Sequence, residues 1–391
     1  MEKVKLGDVC KVQGGYAFKS KEFQKDSIPI IRIGNIQDNE VEIDYNVCFT
    51  KEFLNKHPEF EIKYGDILIA MSGATVGKIG KYQNDTKALL NQRVGNFIVT
   101  EKLEKRYLYF LLQSPLFEKF ILNNAFGCAQ PNISSKQIEE FEFYNYDNVE
   151  QIEIANQLDK VQEIIDFRKK QIQELDELIK SQFVEMFGNP IFNDKNINLI
   201  EMPNVCEIID GDRGKNYPKA EEFFKEEYCL FLNAKNVTTN GFSFENCMYI
   251  TEEKDKKLRN GKLKRGDVVL TTRGTVGNLA FYTEEIPFEN VRINSGMVIL
   301  RMKKDIINEI FFIEQFKMQL DNIKSKIANG SAQPQLPITK MYGIKILLPN
   351  IELQNQFANI VKQIDKQKFE IQKSLEETQK LQESLMNKYF G

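Results

Sequence analysis

The nine residues Ser72 to Gly80, "SGATVGKIG", hold three glycines, a threonine and a lysine, the residue types that cradle phosphate. A Walker A loop orders them as G-x-x-x-x-G-K-[ST]: backbone N–H groups wrap the phosphates, the lysine reaches them, and the hydroxyl binds Mg²⁺. Here Ser72 stands at the first glycine position and Ile79 follows Lys78, so the first glycine and the metal-binding hydroxyl are both missing. No nucleotide site is expected there. His57 is the single histidine of 391 residues, and general acid–base or nucleophilic catalysis usually needs an imidazole or an activated serine or cysteine near one. Cys10, Cys48, Cys128, Cys206, Cys229 and Cys247 are widely spaced with no C-x-x-C pair. A zinc site is therefore not expected, and the thiols are read as reduced and mostly buried. Neither catalytic residues nor a metal are predicted.

The elements that carry these residues are written twice. "YGDILIAMSGATVGKIGKY" from Tyr64 returns as "RGDVVLTTRGTVGNLAFY" from Arg265, with one residue fewer inside the glycine loop. "FGCAQPNISSKQIEEFEF" from Phe126 returns as "NGSAQPQLPITKMYGIKI" from Asn329, an offset of 203 that also pairs Asn91 with Asn294. Several blocks in the same order identify an internal duplication. The second glycine loop has Asn278 where Lys78 stands, and a phosphate site would not be expected to lose its lysine in one copy.

Residues 149 to 187 contain no Gly or Pro and are rich in Gln, Glu, Lys, Leu and Ile, a strong helix composition. Ile154, Leu158, Val161, Ile165, Ile172, Leu175 and Ile179 step by four and three, with Arg168 at the one polar position, which is a heptad seam. A second such helix is predicted from about Ile351 to Phe390, with Phe357, Val361, Ile364, Ile371 and Leu375 in its seam. Both are expected to begin around Ala155-Asn156 and Ala358-Asn359 and to stop at Gly188 and Gly391. Each would be roughly 55 Å long. The seam residues Leu158, Val161, Leu175, Val361, Ile364 and Leu375 are most simply satisfied by each other, as an antiparallel coiled coil.

Each globular repeat reads as α+β. "IPIIRIGNI", "GDILIAM", "NFIVT" and "EFEFYNY" suggest strands, and "EKRYLYFLLQSPLFEKFILNN" a helix pair broken by Pro115. The expected organisation is two tandem α/β domains, residues 1–146 and 189–349, and two long helices, residues 147–188 and 350–391. No run approaches the 18 apolar residues of a membrane span, and the charged "MEKVKLGDVCKV" does not read as a signal peptide, so a cytoplasmic location is expected.

One scaffold with two sets of divergent loops suits a reader of two different half-sites on duplex DNA. Residues 1–146 hold 19 basic and 19 acidic residues, and residues 189–349 hold 23 and 21. Such near-neutral modules would draw part of their grip on phosphate from partner subunits. Residues 147–188 hold 5 basic against 10 acidic, an excess that suits a basic partner surface, with Asp159, Glu163 and Asp166 the candidate docking residues. "NPIF" at Asn189 approaches a methyltransferase N-P-P-[FY] loop but lacks its second proline, and reads as linker.

The paired glycine loops, "AQPNIS" and "AQPQLP", "IPIIRIGNI", "GYAFKS" and the two helices ending in "FG" together resemble the specificity subunit of type I restriction-modification systems. The resemblance covers nearly the whole chain, including its duplication. It implies a non-catalytic subunit with two target recognition domains, each reading half of a bipartite double-stranded DNA sequence. It further implies two methyltransferase (modification) subunits docked on the helices and restriction subunits joining that core, with S-adenosylmethionine, ATP and Mg on those partners and no cofactor on this chain.

Arg can bridge guanine O6 and N7, Asn and Gln can pair with adenine, and Lys or Ser can hold phosphate. The loop residues chosen on that chemistry are Tyr16, Lys19, Ser20, Ser72, Lys78 and Arg93 in the first repeat. In the second they are Arg213, Lys215, Asn216, Arg273 and Arg292. Gln130 and Gln333 recur in both copies, so a scaffold or phosphate role is expected of them. The alternative from another class is a coiled-coil adaptor that tethers protein modules without touching DNA.

Overall fold

The computed structural model describes residues 2–37, 39–125, 130–327 and 335–391. It divides into two compact units, residues 1–169 with 373–391 and residues 170–372. Each unit therefore takes one end of each long helix.

In the first unit the strands Cys10–Gly14, Val94–Val99, Ile67–Ala70 and Ile79–Lys81 lie side by side in that order, all antiparallel. Phe97 faces Val12 in register, and Asn96 faces Leu68. The second unit repeats the order with Cys206–Asp210, Met297–Met302, Val268–Thr271 and Leu279–Phe281. The central strands Ile67–Ala70 and Val268–Thr271 are buried at every position. They read as apolar runs rather than alternations because both faces are covered. Ile67 and Ile69 pack toward the helices, while Leu68 and Ala70 pack toward a smaller sheet.

That smaller sheet contains a parallel pair in each unit, Ile28–Ile31 with Ala88–Leu90 and Cys229–Leu232 with Val291–Ile293. Terminal strands pair as Glu2–Lys5 with Glu142–Asn145 and Leu199–Glu201 with Lys345–Leu347. Pro115 opens the helix Pro115–Ala125 after the helix Lys105–Leu111, a position where its missing N–H leaves no bond unmade. The second unit has one unbroken helix there, Glu309–Ile327. "IPIIRIGNI" is strand only to Ile31 and then a 3₁₀ turn at Ile33–Asn35.

The long helices are α1, Asn148–Phe187, and α2, Ile351–Phe390. Both fall within the stretches expected for them, residues 147–188 and 350–391, and begin seven residues ahead of the Ala155-Asn156 and Ala358-Asn359 pairs, where capping side chains start them. Asp147 accepts the Glu150 N–H at 2.9 Å, and Asn350 accepts that of Leu353 at 2.9 Å. Gly188, at φ 74°, ends α1 in the left-handed conformation.

Within the first unit, Gln157 of α1 bonds Tyr389 of α2 at 2.8 Å, and Gln162 bonds Gln382 at 2.7 Å. Within the second, Asp176 pairs with Lys368 at 2.5 Å and the Phe183 ring lies 5.4 Å from Phe357. Rising numbers on one helix meet falling numbers on the other, so the pairing is antiparallel. Leu158 belongs to the first unit's core, and Val361 and Ile364 to the second's, with Leu175 half-buried against it. Val161 and Leu375 are buried as well.

Phe183, Phe187, Phe311 and Phe357 cluster at the α1–α2 end of the second core, mostly edge to face, with Phe183 and Phe311 stacked. Such pairs contribute about 0.5–1.5 kcal/mol each beyond area burial. No described helix is long and apolar enough to cross a membrane.

Candidate nucleic-acid interface

The glycine loops are tight turns closed on themselves. Gly73 and Gly77 have φ of 77° and 84°, and their counterparts Gly274 and Gly277 have 74° and 99°, a region that L side chains resist. A Cβ on Gly77 would sit 2.6 Å from Ile121, and one on Gly277 would sit 2.2 Å from Leu320. Backbone donors that would face a phosphate are engaged internally: Gly73 N–H bonds Pro131 O, Gly77 N–H bonds Ala70 O, and Lys78 N–H bonds Thr75 O. The recurring glycines serve the turn's approach to a helix.

Three further segments converge on this turn. In the first unit Tyr16 N–H bonds Leu90 O and Gln92 N–H bonds Tyr16 O, both at 2.9 Å. Met71 N–H bonds Arg93 O, and Ile133 N–H bonds Met71 O, again at 2.9 Å. The second unit keeps the scheme: Thr272 N–H bonds Gly296 O at 2.8 Å, and Leu336 N–H bonds Thr272 O at 3.0 Å. Asp210, Arg213, Thr272 and Arg273 there border a cleft of about 200 Å³ whose other wall includes Leu336 and Pro337.

The predicted residues fall into distinct groups. Tyr16, Ser72 and Arg93 are brought together by these bonds, and Arg213 and Arg273 meet at the cleft. Tyr16 is exposed, its ring 5.0, 4.8 and 5.6 Å from Phe18, Phe53 and Phe60. Ser72 is 6% exposed, and its Oγ has no partner among the described residues. Lys19 and Ser20 are exposed at a 3₁₀ turn, and Lys78 and Lys215 are exposed on their loops.

Arg213 donates to Asp210 at 3.1 Å and to the Ser295 carbonyl at 3.2 Å. Asn216 uses its amide on Lys257 O at 3.0 Å. Gln130 is exposed, while Gln333 and Cys128 lie outside the described residues.

Arg292 corrects the sequence reading. It sits in the strand Val291–Ile293 and is only 5% exposed. Its guanidinium donates to Asp255 Oδ1 at 2.5 Å and to the carbonyls of Asn260 at 2.7 Å, Asp255 at 2.8 Å and Leu258 at 3.1 Å. Burial opposes the charge on Asp255, but hydrogen bonds from Lys262 and Arg292 outweigh it and hold the carboxyl below its ordinary range. Arg292 braces the second unit with four of its five N–H donors and is buried away from any ligand on the surface.

Sequence reasoning missed several supports. Asp212 is buried, takes Gly214 N–H at 2.6 Å and Arg259 N–H at 2.7 Å, and so shapes the loop that presents Arg213. Burial pushes its carboxyl up, yet these bonds prevail and lower it. Gln151 and Gln354, buried at the starts of α1 and α2, clamp matching loops: Gln151 accepts Glu104 N–H at 2.7 Å and Gln354 accepts Asn308 N–H at 2.9 Å. Their offset of 203, shared with the "AQP" blocks, was the available signal. Burial raises the thiols of Cys10, Cys206 and Cys229 to about 12, which leaves them unreactive at neutral pH.

On α1, Asp159 is held by Arg106 at 2.8 Å and Asp166 accepts from Gln162 at 2.9 Å, while Glu163 is exposed. Phe167 on α1 and Phe369 on α2 are 58% and 68% exposed.

The chain matches the type I restriction modification DNA specificity domain over residues 1–177 and again over 195–382. It is 22% identical to the type I restriction enzyme EcoBI specificity subunit of Escherichia coli, over 99% of this chain and 85% of that one. With the MjaIX specificity subunit of Methanocaldococcus jannaschii it is 23% identical, over 98% and 91%. The MjaVIII specificity subunit of the same organism is 29% identical over 202 residues, 50% of this chain and 47% of that one. The S subunit of a type I restriction-modification system from M. genitalium superposes on 100% of the chain and 96% of its own, with a TM-score of 0.60 at 17% identity. Two matches of one domain to one chain coincide with the duplicated scaffold and its paired loop sets: the chain belongs to the family of type I restriction-modification specificity subunits.

Proposed function

We propose that the chain reads a bipartite double-stranded DNA target, one half with the loops of each unit, and is itself non-catalytic. The observation that carries this reading is the repeated convergence of loops around a glycine turn. The backbone bonds from Met71 and Ile133 recur from Thr272 and Leu336, while the exposed side chains around them, Tyr16 and Arg93 against Arg213 and Arg273, differ. A conserved frame with changed side chains is what two different half-sites require.

Two modification subunits dock on the long helices in this reading and supply S-adenosylmethionine chemistry at adenine. Restriction subunits bring ATP and Mg²⁺. The exposed Phe167 and Phe369 rings support such docking, because large apolar side chains on charged helices favour a partner.

Single-molecule mapping of N6-methyladenine, in a host expressing the chain with its cognate modification subunit, tests the proposal. Exchange of residues 1–146 for those of another specificity subunit should change one half of a split motif. An unsplit or unchanged motif rejects it. An adaptor without DNA contact would show no sequence preference in a mobility shift of the assembled complex.

A further inference from the structure

Ten arginines occur in the chain. Arg32, Arg106, Arg213, Arg259, Arg265, Arg292 and Arg301 are ion-paired, and Arg168 is engaged as well. Arg93 and Arg273 are exposed and have no side-chain hydrogen bond or ion pair with any described residue. These two occupy the same place in the two units.

The correspondence is given by the backbone. Ser72 bridges Asn132 where Arg273 bridges Gln335, so Arg273 stands at the position of Ser72. Met71 N–H bonds Arg93 O where Thr272 N–H bonds Gly296 O, so Gly296 stands at the position of Arg93. The arginine has therefore changed loops. The first unit has serine on the glycine loop and arginine in the facing turn; the second has arginine on the glycine loop and glycine in the facing turn. The launch points are neighbours, since a Cβ on Gly296 would lie 3.8 Å from that of Arg273.

We propose that Arg93 and Arg273 are the guanine-reading side chains of the two half-sites, each directing its guanidinium fork at O6 and N7 in the major groove. The proposal rests on the reading of the chain as a DNA-binding subunit. A free guanidinium keeps its whole donor fork for a base edge, whereas Arg213 has part of its own committed to Asp210 and Ser295. A phosphate anchor common to both units would be expected to stay on the shared frame. This group has moved between loops while the frame was retained, which alters the approach to a base edge and suits a specificity contact.

The test maps N6-methyladenine for the chain with its cognate modification subunit. The wild type should give a split motif with a G·C pair in each half. Arg273→Ala should relax one such position in one half and leave the other half intact, and Arg93→Ala should do the converse. Arg273→Ser with Gly296→Arg, which moves the group to the facing turn, should recover more of the guanine preference than Arg273→Ser alone.

Wild-type complex on a duplex with 7-deazaguanine at the assigned position, which lacks N7, should bind about tenfold more weakly. That measurement needs no variant to fold. Unchanged motifs at lower methylation in both alanine variants would mean phosphate contacts and overturn the proposal, as would undiminished binding of the 7-deazaguanine duplex. A split motif with no G·C pair in one half overturns it while leaving the proposed function standing. Absence of any sequence-specific methylation overturns both.

Discussion

Arg292→Ala removes a guanidinium that is 5% exposed and donates to one carboxylate and three backbone carbonyls. Asp255, 3% exposed, would retain Lys262 at 2.6 Å as its one cationic partner among the described residues. Breaking a buried ion pair by removing one partner costs about 3–5 kcal/mol, and each stranded buried acceptor adds about 1–3 kcal/mol until water reaches it. With water entering the space left by the side chain, a loss of about 4 kcal/mol is expected, out of roughly 5–15 kcal/mol for a typical domain.

Denaturant unfolding gives the magnitude, and hydrogen exchange should place it at residues 252–262 and 291–293. Arg273→Ala, truncating an exposed and unpaired side chain, should stay within about 0.5 kcal/mol. The sign with pH follows from Asp255. Its folded-state pKa lies below the unfolded value, so its contribution is present above about pH 4 and is lost as pH falls through the lowered folded value. The acid limb of the stability profile should therefore be shallower in Arg292→Ala. A variant of unchanged stability whose methylation motif is altered would refute the reasoning and make Arg292 a reader of DNA.

Gly277→Ala forces both a left-handed alanine and a Cβ 2.2 Å from Leu320, whereas Gly274→Ala meets only the backbone penalty. Melting should show a loss of about 1–2 kcal/mol for Gly274→Ala and about 1–3 kcal/mol more for Gly277→Ala. Gln354→Leu strands Asn308 N–H and the carbonyls of Ile306 and Pro349, and should cost about 2–4 kcal/mol by denaturant unfolding. Gln151→Leu should behave alike in the first unit. Phe167→Ser and Phe369→Ser should leave stability nearly unchanged and weaken assembly with modification subunits by about 1–2 kcal/mol each in titration calorimetry. Glu163→Lys with Asp166→Lys tests the acidic face without breaking the Asp159–Arg106 pair, and should slow association at low salt.

Periodicity and self-similarity were readable because they are local or repeated signals. The heptads of α1 and α2 follow from side-chain spacing, and the glycine turns follow from a backbone need that recurs in both copies. The helix bounds were readable too, because Asp147 and Asn350 are capping residue types standing directly before long stretches without Gly or Pro. Loop residues were chosen by chemical type, and type cannot distinguish a free arginine from one already engaged. Arg292 and Arg273 look equivalent in a list of basic residues; Asp255, 37 positions away along the chain, separates them.

The amino-acid sequence by itself determined the duplication, the two long helices and the family, because those rest on order and spacing along the chain. Tertiary structure decided which side chains are available. It buried Arg292 against Asp255, fastened Arg213 to Asp210, and left Arg93 and Arg273 open from facing loops of equivalent turns. Availability depends on long-range partners, and a charge remote in sequence is brought within hydrogen-bonding distance only when the sheets assemble.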